Sequence, residues 1–211
     1  MSVASLPGGG APLLGEPAPI ELGNTVYAVR GRLKDGLQTV EHLAAWLRDM
    51  RPRLGVTLTD DDVRSVTDHE LRLARELRDA IRALGATAVA GRPPDPEAVA
   101  TLNRHAGRTP RWRELRTLPE PHVTQCSAGR PVAAALSALA EEAVDFFGGR
   151  PRDDVRACPG PGCVLYFVRE GSRREFCSAG CSNRARAARH YARSKGTGDP
   201  DGGCDQPRPA R

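Results

Sequence analysis

Four cysteines fall into two close pairs, Cys158-x4-Cys163 and Cys177-x3-Cys181, with thirteen residues between the pairs. Two short-spaced thiol pairs separated by a hairpin-sized gap suit tetrahedral Zn²⁺, whose thiolates lie about 2.3 Å from the metal. Each pair sits in one tight turn, so bringing its two ligands together closes only a short loop. The competing readings are a pair of disulfides or four unlinked buried thiols. Spacing and flanks favour zinc. Four Cys leave no open coordination position, so the metal is expected to be structural rather than catalytic, with one ion per chain.

The rest of the chain offers less chemistry. Cys126 and Cys204 are left over, and neither is joined to a base that would make it a nucleophile. The five histidines, His42, His69, His105, His122 and His190, are scattered without an H-x3-H pair. No nucleophile elbow, P-loop or dinucleotide glycine fingerprint is present, and the expectation is a protein without catalysis. Asp60-Asp61-Asp62 reads as a helix start, because three consecutive carboxylates there point in different directions. Glu21 and Asn24 are ligand-binding candidates if they face a pocket. The alternative for Asn24-Thr25 is to satisfy backbone groups at a helix end.

Charge points to a partner. Residues 158–195 hold eight Lys/Arg (Arg169, Arg173, Arg174, Arg184, Arg186, Arg189, Arg193, Lys195) and two acids (Glu170, Glu175), a balance of +6. The whole chain carries +5, so everything else sums to −1. Four thiolates against Zn²⁺ subtract two from the cysteine module. A small basic module beside a near-neutral body is a nucleic-acid arrangement. Arg173, Arg174, Arg184, Arg186, Arg189, Arg193 and Lys195 are the candidate contacts to DNA; the plainer reading is a solvated basic face. Only Lys34 and Lys195 are lysines among 31 basic residues, a bias of GC-rich coding sequences.

The elements that must position these residues follow from local pattern. Pro159-Gly160-Pro161-Gly162 makes the first pair a rigid knuckle. Val164–Val168 is a β-branched and aromatic run and predicts a strand, with Arg174–Phe176 as a short return strand after a turn at Gly171-Ser172. Ser178-Ala179 opens a helix that meets no Gly or Pro after its first turn until Gly196. Cys177 and Cys181 are four apart and share one face of its start. Along that helix Cys181, Ala185, Ala188 and Ala192 form a narrow stripe expected to pack on the zinc hairpin. Arg186, Arg189, His190 and Arg193 take another face. Knuckle, hairpin and ligand-bearing helix describe a treble-clef-like zinc finger.

Upstream, the pattern is helical. Thr39 caps a helix over 40–49 with Leu43, Trp46 and Leu47 inside. The longest helix is predicted from about His69 to Leu84, with Leu73, Leu77, Ala80, Ile81 and Leu84 as its buried stripe and Gly85 ending or kinking it. Pro96 begins another, with Val99 and Leu102 inside. Trp112 and Leu115 against Val123 and Cys126 predict a small hairpin within 107–130. Pro131 opens a helix to Phe147 with Leu136, Leu139, Ala140, Ala143, Val144 and Phe147 on its core face. Gly148–Pro151 reads as a hinge, and 148–157 as the stretch most open to protease. Residues 1–15 and 196–211 have the composition of disordered ends.

The pattern C-x4-C, an aromatic strand, a basic turn and C-S-x-x-C-x-N-R resembles the CGNR-type zinc finger, named for a Cys-Gly-Asn-Arg signature. Here the signature reads Cys181-Ser182-Asn183-Arg184, with Ser in place of Gly, and Glu175-Phe176 stands where Arg-Trp is common. Ile20–Tyr27 resembles the opening of the α-helical ABATE domain, with Glu21 in place of Asp and Asn24-Thr25 matching. The similarity continues through Asp35, Leu37, Thr39, Leu43–Leu47 and the Leu102-Asn103 pair. The resemblance implies an ABATE-like helical domain over 16–150 and a finger over 151–195. It also implies a stress-induced transcription regulator, with DNA binding by the finger.

The expected fold is therefore mainly α: a helical N-terminal domain with a small β-hairpin, then a C-terminal treble-clef-like zinc finger. The expected function is zinc-dependent DNA-binding regulation, with a small-molecule or protein effector at the helical domain. The rivals are a protein–protein or dimerisation module, and an enzyme with its site in the helical domain. No apolar run reaches the ~20 residues of a membrane helix. The N-terminus lacks the basic and apolar regions of a secretory signal, so a cytoplasmic location is expected.

Overall fold

The computed structural model describes residues 11–169, 171 and 173–196, with side chains as far as Arg193. Seven helices and three two-stranded antiparallel sheets are seen among them. In chain order they are α1 (Ala18–Gly23), β1 (Val26–Val29), β2 (Arg32–Asp35), α2 (Val40–Met50), α3 (Asp60–Arg64), α4 (Asp68–Val89) and α5 (Pro96–Ala106). Then come β3 (Arg111–Arg116), β4 (His122–Ser127), α6 (Pro131–Gly148), β5 (Val155–Ala157), β6 (Tyr166–Val168) and α7 (Ala179–Gly196).

Threonines start three of the helices. Thr39 Oγ1 accepts from the His42 N–H. Thr59 with Asp62, and Thr67 with Glu70, form reciprocal capping boxes that satisfy backbone donors left open at a helix start. The acidic triplet is thus the first turn of α3, as expected. Asp95 caps α5, and Pro96 and Pro131 occupy first-turn positions where no N–H is needed.

The apolar stripes converge on α4. Leu73, Leu77, Ala80, Ile81 and Leu84 are all buried, against Leu43, Trp46 and Leu47 of α2, Leu102 of α5 and Leu136, Leu139 and Phe147 of α6. A fully buried side chain of this size contributes about 1.5–3 kcal/mol, so this layer of facing helices is the main source of stability. Val144 is the exception on α6 and faces solvent. Gly85 does not end α4, which continues four residues further to Val89. Its missing side chain leaves room for the ring of Tyr166, whose atoms lie 3.6–3.7 Å from where a Cβ would stand.

The expected hairpin is β3–β4, in a register that sets Trp112 opposite Cys126 and Leu115 opposite Val123. A second hairpin, β1–β2, was not visible in the periodicity. It turns through Arg30 (φ 50°) and Gly31 (φ 76°). Two consecutive positive φ values mark the tight turn that matches strand twist.

One expectation about the flanks fails. Residues 11–15 were assigned to a disordered end, yet Ala11 is buried, Leu13 packs on the helical core and Leu14 packs on the finger. The stretch expected to be a hinge is exposed from Arg150 to Asp154. After a 3-10 turn over Arg150–Asp154, Val155 enters the helical core and is fully buried. The tails 1–10 and 197–211 lie outside the described residues. No helix among the described residues is long and apolar enough to cross a membrane.

Candidate metal centre

The knuckle is built by backbone geometry. The Cys163 N–H donates to Gly160 O at 2.9 Å, closing a turn around Pro161 and Gly162 (φ 69°). Proline before a positive-φ glycine is the chemistry of a type II turn. The Cys158 N–H donates to Leu165 O at 2.9 Å, which extends the β5–β6 pairing up to the first ligand. The strand predicted over Val164–Val168 is therefore present as β6, but its partner is β5, upstream of the knuckle. The return strand expected at Arg174–Phe176 does not form; the second edge of β6 donates instead to Asn24 and Glu16 of the helical body. Ser178 precedes α7, and its Oγ accepts from the Cys181 N–H at 3.3 Å, aiming the helix start at the knuckle. Gly160 passes so close that a Cβ there would sit 2.9 Å from Cys181 Cβ.

Cys158, Cys163, Cys177 and Cys181 converge, all four sulfurs lying within 4.8 Å of one another. Cys163 and Cys177 are 3.8 Å apart and Cys177 and Cys181 3.4 Å. A tetrahedron with metal–sulfur bonds of about 2.3 Å has an edge of about 3.8 Å, so the cluster has the size of a zinc shell. Cys158, Cys163 and Cys177 also perturb one another's ionisation. Hydrogen bonds from Cys163 and then Cys177 hold the Cys158 thiol down at about 2. The bond with Cys158 pushes Cys163 up to about 11, and the bonds with Cys158 and Cys163 push Cys177 up too. These opposite shifts are the mutual effect of thiols in contact, and a metal ion takes such ligands as thiolates. Three of the four cysteines are buried, and the shell is closed by sulfur, so the site holds one structural Zn²⁺.

Arg184 places Nη2 2.9 Å from Cys181 Sγ. Its guanidinium answers the charge of the thiolate cluster and is not simply presented to a partner. Ser182, which replaces the signature glycine, accepts from Arg186 Nη2 at 3.3 Å through its hydroxyl.

The finger is clamped to the helical body by residues far away in sequence. Asn24 is fully buried at the end of α1; its Nδ2 donates to Tyr166 O and its Oδ1 accepts from the Tyr166 N–H, both at 2.9 Å. It caps the open edge of β6 as a strand would. Glu16 Oε2 accepts from the Val168 N–H at 2.9 Å, and its other oxygen pairs with Arg174. Arg82 of α4 donates to Gly23 O at 2.9 Å and Val164 O at 3.3 Å, with its guanidinium over the Tyr166 ring.

These contacts correct three candidate assignments. Asn24 is consumed by β6 and does not line a pocket. Glu21 is likewise enclosed, accepting from the Leu14 and Glu16 N–H groups and from Arg53. Arg174 is not a free cation for DNA: besides Glu16 it donates to Val168 O, Phe176 O and Cys177 O and stacks on Phe167. Sequence reasoning missed Glu16 and Arg82, whose partners lie 152 and 82 residues away.

Arg173, Arg186, Arg189 and Arg193 are exposed. The alanine stripe of α7 is not the packing face that was expected. Ala185 is half-buried, but Ala188 and Ala192 are exposed, as is Tyr191. Beyond its first turns α7 stands clear of the finger's small core. Cys126 is half-buried on β4; Cys204 and the side chain of Lys195 lie outside the described residues.

A helical body carrying a closed four-cysteine finger defines a zinc-binding, two-part class of protein. The ABATE family model, described as "Putative stress-induced transcription regulator", matches residues 16–150, and the CGNR zinc finger model matches residues 155–194. The chain belongs to the ABATE family and carries a CGNR zinc finger at the C-terminal side of that domain. A search of the curated proteins finds no match.

Proposed function

We propose that this protein is a transcription regulator that binds duplex DNA through α7, with zinc ordering the start of that helix. The observation that carries the reading is the charge of α7. Arg184, Arg186, Arg189, Arg193 and Lys195 fall within Ala179–Gly196 without one acidic residue. An exposed basic helix is of a size that enters a DNA major groove, and Arg forks suit phosphate oxygens and guanine edges. The regulator description of the family is consistent with it. Catalysis has no part in this reading, and the helical body serves as the sensing or partner-binding half. Titration of a fluorescent duplex across a salt series is the test. A steep loss of affinity with salt is expected, and no binding at low salt overturns the proposal.

One observation favours protein contact as a second role. The β3–β4 hairpin exposes Trp112, Leu115, Leu118 and Val123 together, with Leu118 81% accessible. Light scattering that shows a stable dimer without affinity for duplex would make this the primary function.

A further inference from the structure

The zinc knuckle touches a second basic element, which belongs to the helical body. Gly162, inside the knuckle, lies so close to the β1–β2 turn that its Cβ would stand 3.5 Å from Gly31 Cα. Gly160, two residues earlier, meets Cys181 of α7. The knuckle is thus held between the β1–β2 turn and the first turn of α7.

That hairpin carries Arg30, Arg32 and Lys34, all exposed. Its only acid, Asp35, is taken by Arg78 at 2.6 Å. None of the three cations has a carboxylate within ion-pair distance among the described residues, although eleven such pairs form elsewhere. The register sets Val29 opposite Arg32 and Tyr27 opposite Lys34. Directly opposed residues share a face of a two-stranded sheet, so Arg32 and Lys34 lie on the face of Tyr27. Tyr27 packs against both the helical core and the finger's own core, at their junction. The hairpin therefore sets Arg32 and Lys34 on the face that meets this junction, with Arg30 in the turn beside the knuckle.

We infer that the β1–β2 hairpin is a second phosphate-contacting element, so that the duplex surface is shared between the ABATE body and the finger. This rests on the DNA-binding reading of α7. The ligand class is the phosphate backbone of duplex DNA, to which Arg30, Arg32 and Lys34 present three charges on a short ribbon. Phosphate contacts of this kind fix register and add affinity without sequence preference. A body that touches DNA directly also gives its conformation a route to affinity that does not pass through the finger.

The experiment compares wild type, Arg30→Asn/Arg32→Gln/Lys34→Gln, and Arg186→Ala/Arg189→Ala on one duplex over a salt series. Asn is chosen at position 30 because it tolerates the positive φ. Zinc content and melting temperature serve as folding controls. If the triple variant melts early, Arg32→Gln/Lys34→Gln, which leaves the turn intact, replaces it. The log–log salt slope of the hairpin variant is expected to fall by roughly 0.9 per lost contact, about two to three in total for the triple and about two for the double. Unchanged slope and affinity in a folded hairpin variant overturn the inference; if the α7 variant still loses slope, the reading of α7 stands. A wild type that binds no duplex removes both.

Discussion

Asn24 and Tyr166 exchange two hydrogen bonds of 2.9 Å, although 142 residues separate them. A side-chain amide matches a backbone peptide group atom for atom, so Asn24 completes β6 where another strand is missing. Replacing it by Ala leaves one N–H and one C=O of Tyr166 unpaired, at roughly 1–3 kcal/mol per buried group. Asn24→Ala should lower the denaturant midpoint of the whole protein and speed amide exchange at Tyr166. Wild-type exchange at Tyr166 in the variant would show that the clamp is unimportant.

Glu16 gives a pH dependence. Burial pushes its carboxyl above the ordinary value of 4.5, against the Val168 N–H and Arg174, which pull it down. A carboxyl raised on folding contributes stability that is fully present below its unfolded value and is lost as pH rises through its folded value. Glu16→Gln cannot titrate. Its stability relative to wild type should therefore improve as pH rises from about 4 to 7. Taking the difference between the two proteins removes the zinc contribution common to both. A difference that moves the other way would mean that the Arg174 pairing dominates over burial.

The finger was legible because its instructions are local. Two cysteine pairs, a Pro-Gly turn and a helix start specify a zinc knuckle within forty residues. Thr39, the acidic start at Asp60-Asp61-Asp62, Pro96 and the stripe of α4 were readable for the same reason, since caps and periodicity act over one or two turns. What stayed hidden is non-local. Asn24 and Glu16 look like ordinary polar residues until β6 arrives beside them. The β1–β2 hairpin is short and half-exposed, so its strands lack the alternation of a buried face. Its one local signal is Arg30-Gly31, and the second strand, Arg32–Asp35, is poor in β-forming residues. Arg174 was assigned to DNA by charge alone, and nothing nearby in sequence announces Glu16.

Zinc should be lost with its ligand. Cys177→Ser is expected to abolish stoichiometric zinc and to disorder the finger, because metal binding supplies folding energy to a small module. The helical signal of α2, α4 and α6 should persist. At pH 7 metal binding to the apo protein should release protons, because the ligands bind as thiolates. Gly160→Ala should weaken zinc binding by itself, since the added carbon lands 2.9 Å from Cys181 Cβ. Full zinc in Cys177→Ser, or zinc binding that releases no protons, would contradict this metal site.

Gly85 separates two effects on one helix. Ala there gains up to about 1 kcal/mol of helix propensity over Gly, and its Cβ meets the Tyr166 ring at an ordinary 3.6 Å. Gly85→Ala should raise the melting temperature. Gly85→Leu should lower it by displacing Tyr166 and loosening the finger. A melting temperature raised by both would show that the ring does not depend on that space.

The most direct measurement is duplex affinity against salt for wild type and Arg186→Ala/Arg189→Ala, each with its zinc content determined. Both arginines are exposed on α7, and neither is a metal ligand. The expected result is unchanged zinc, weaker binding and a salt slope smaller by roughly two, about 0.9 for each lost phosphate contact. A double variant that keeps its zinc and binds duplex as wild type does at every salt concentration would show that α7 is not the nucleic-acid surface.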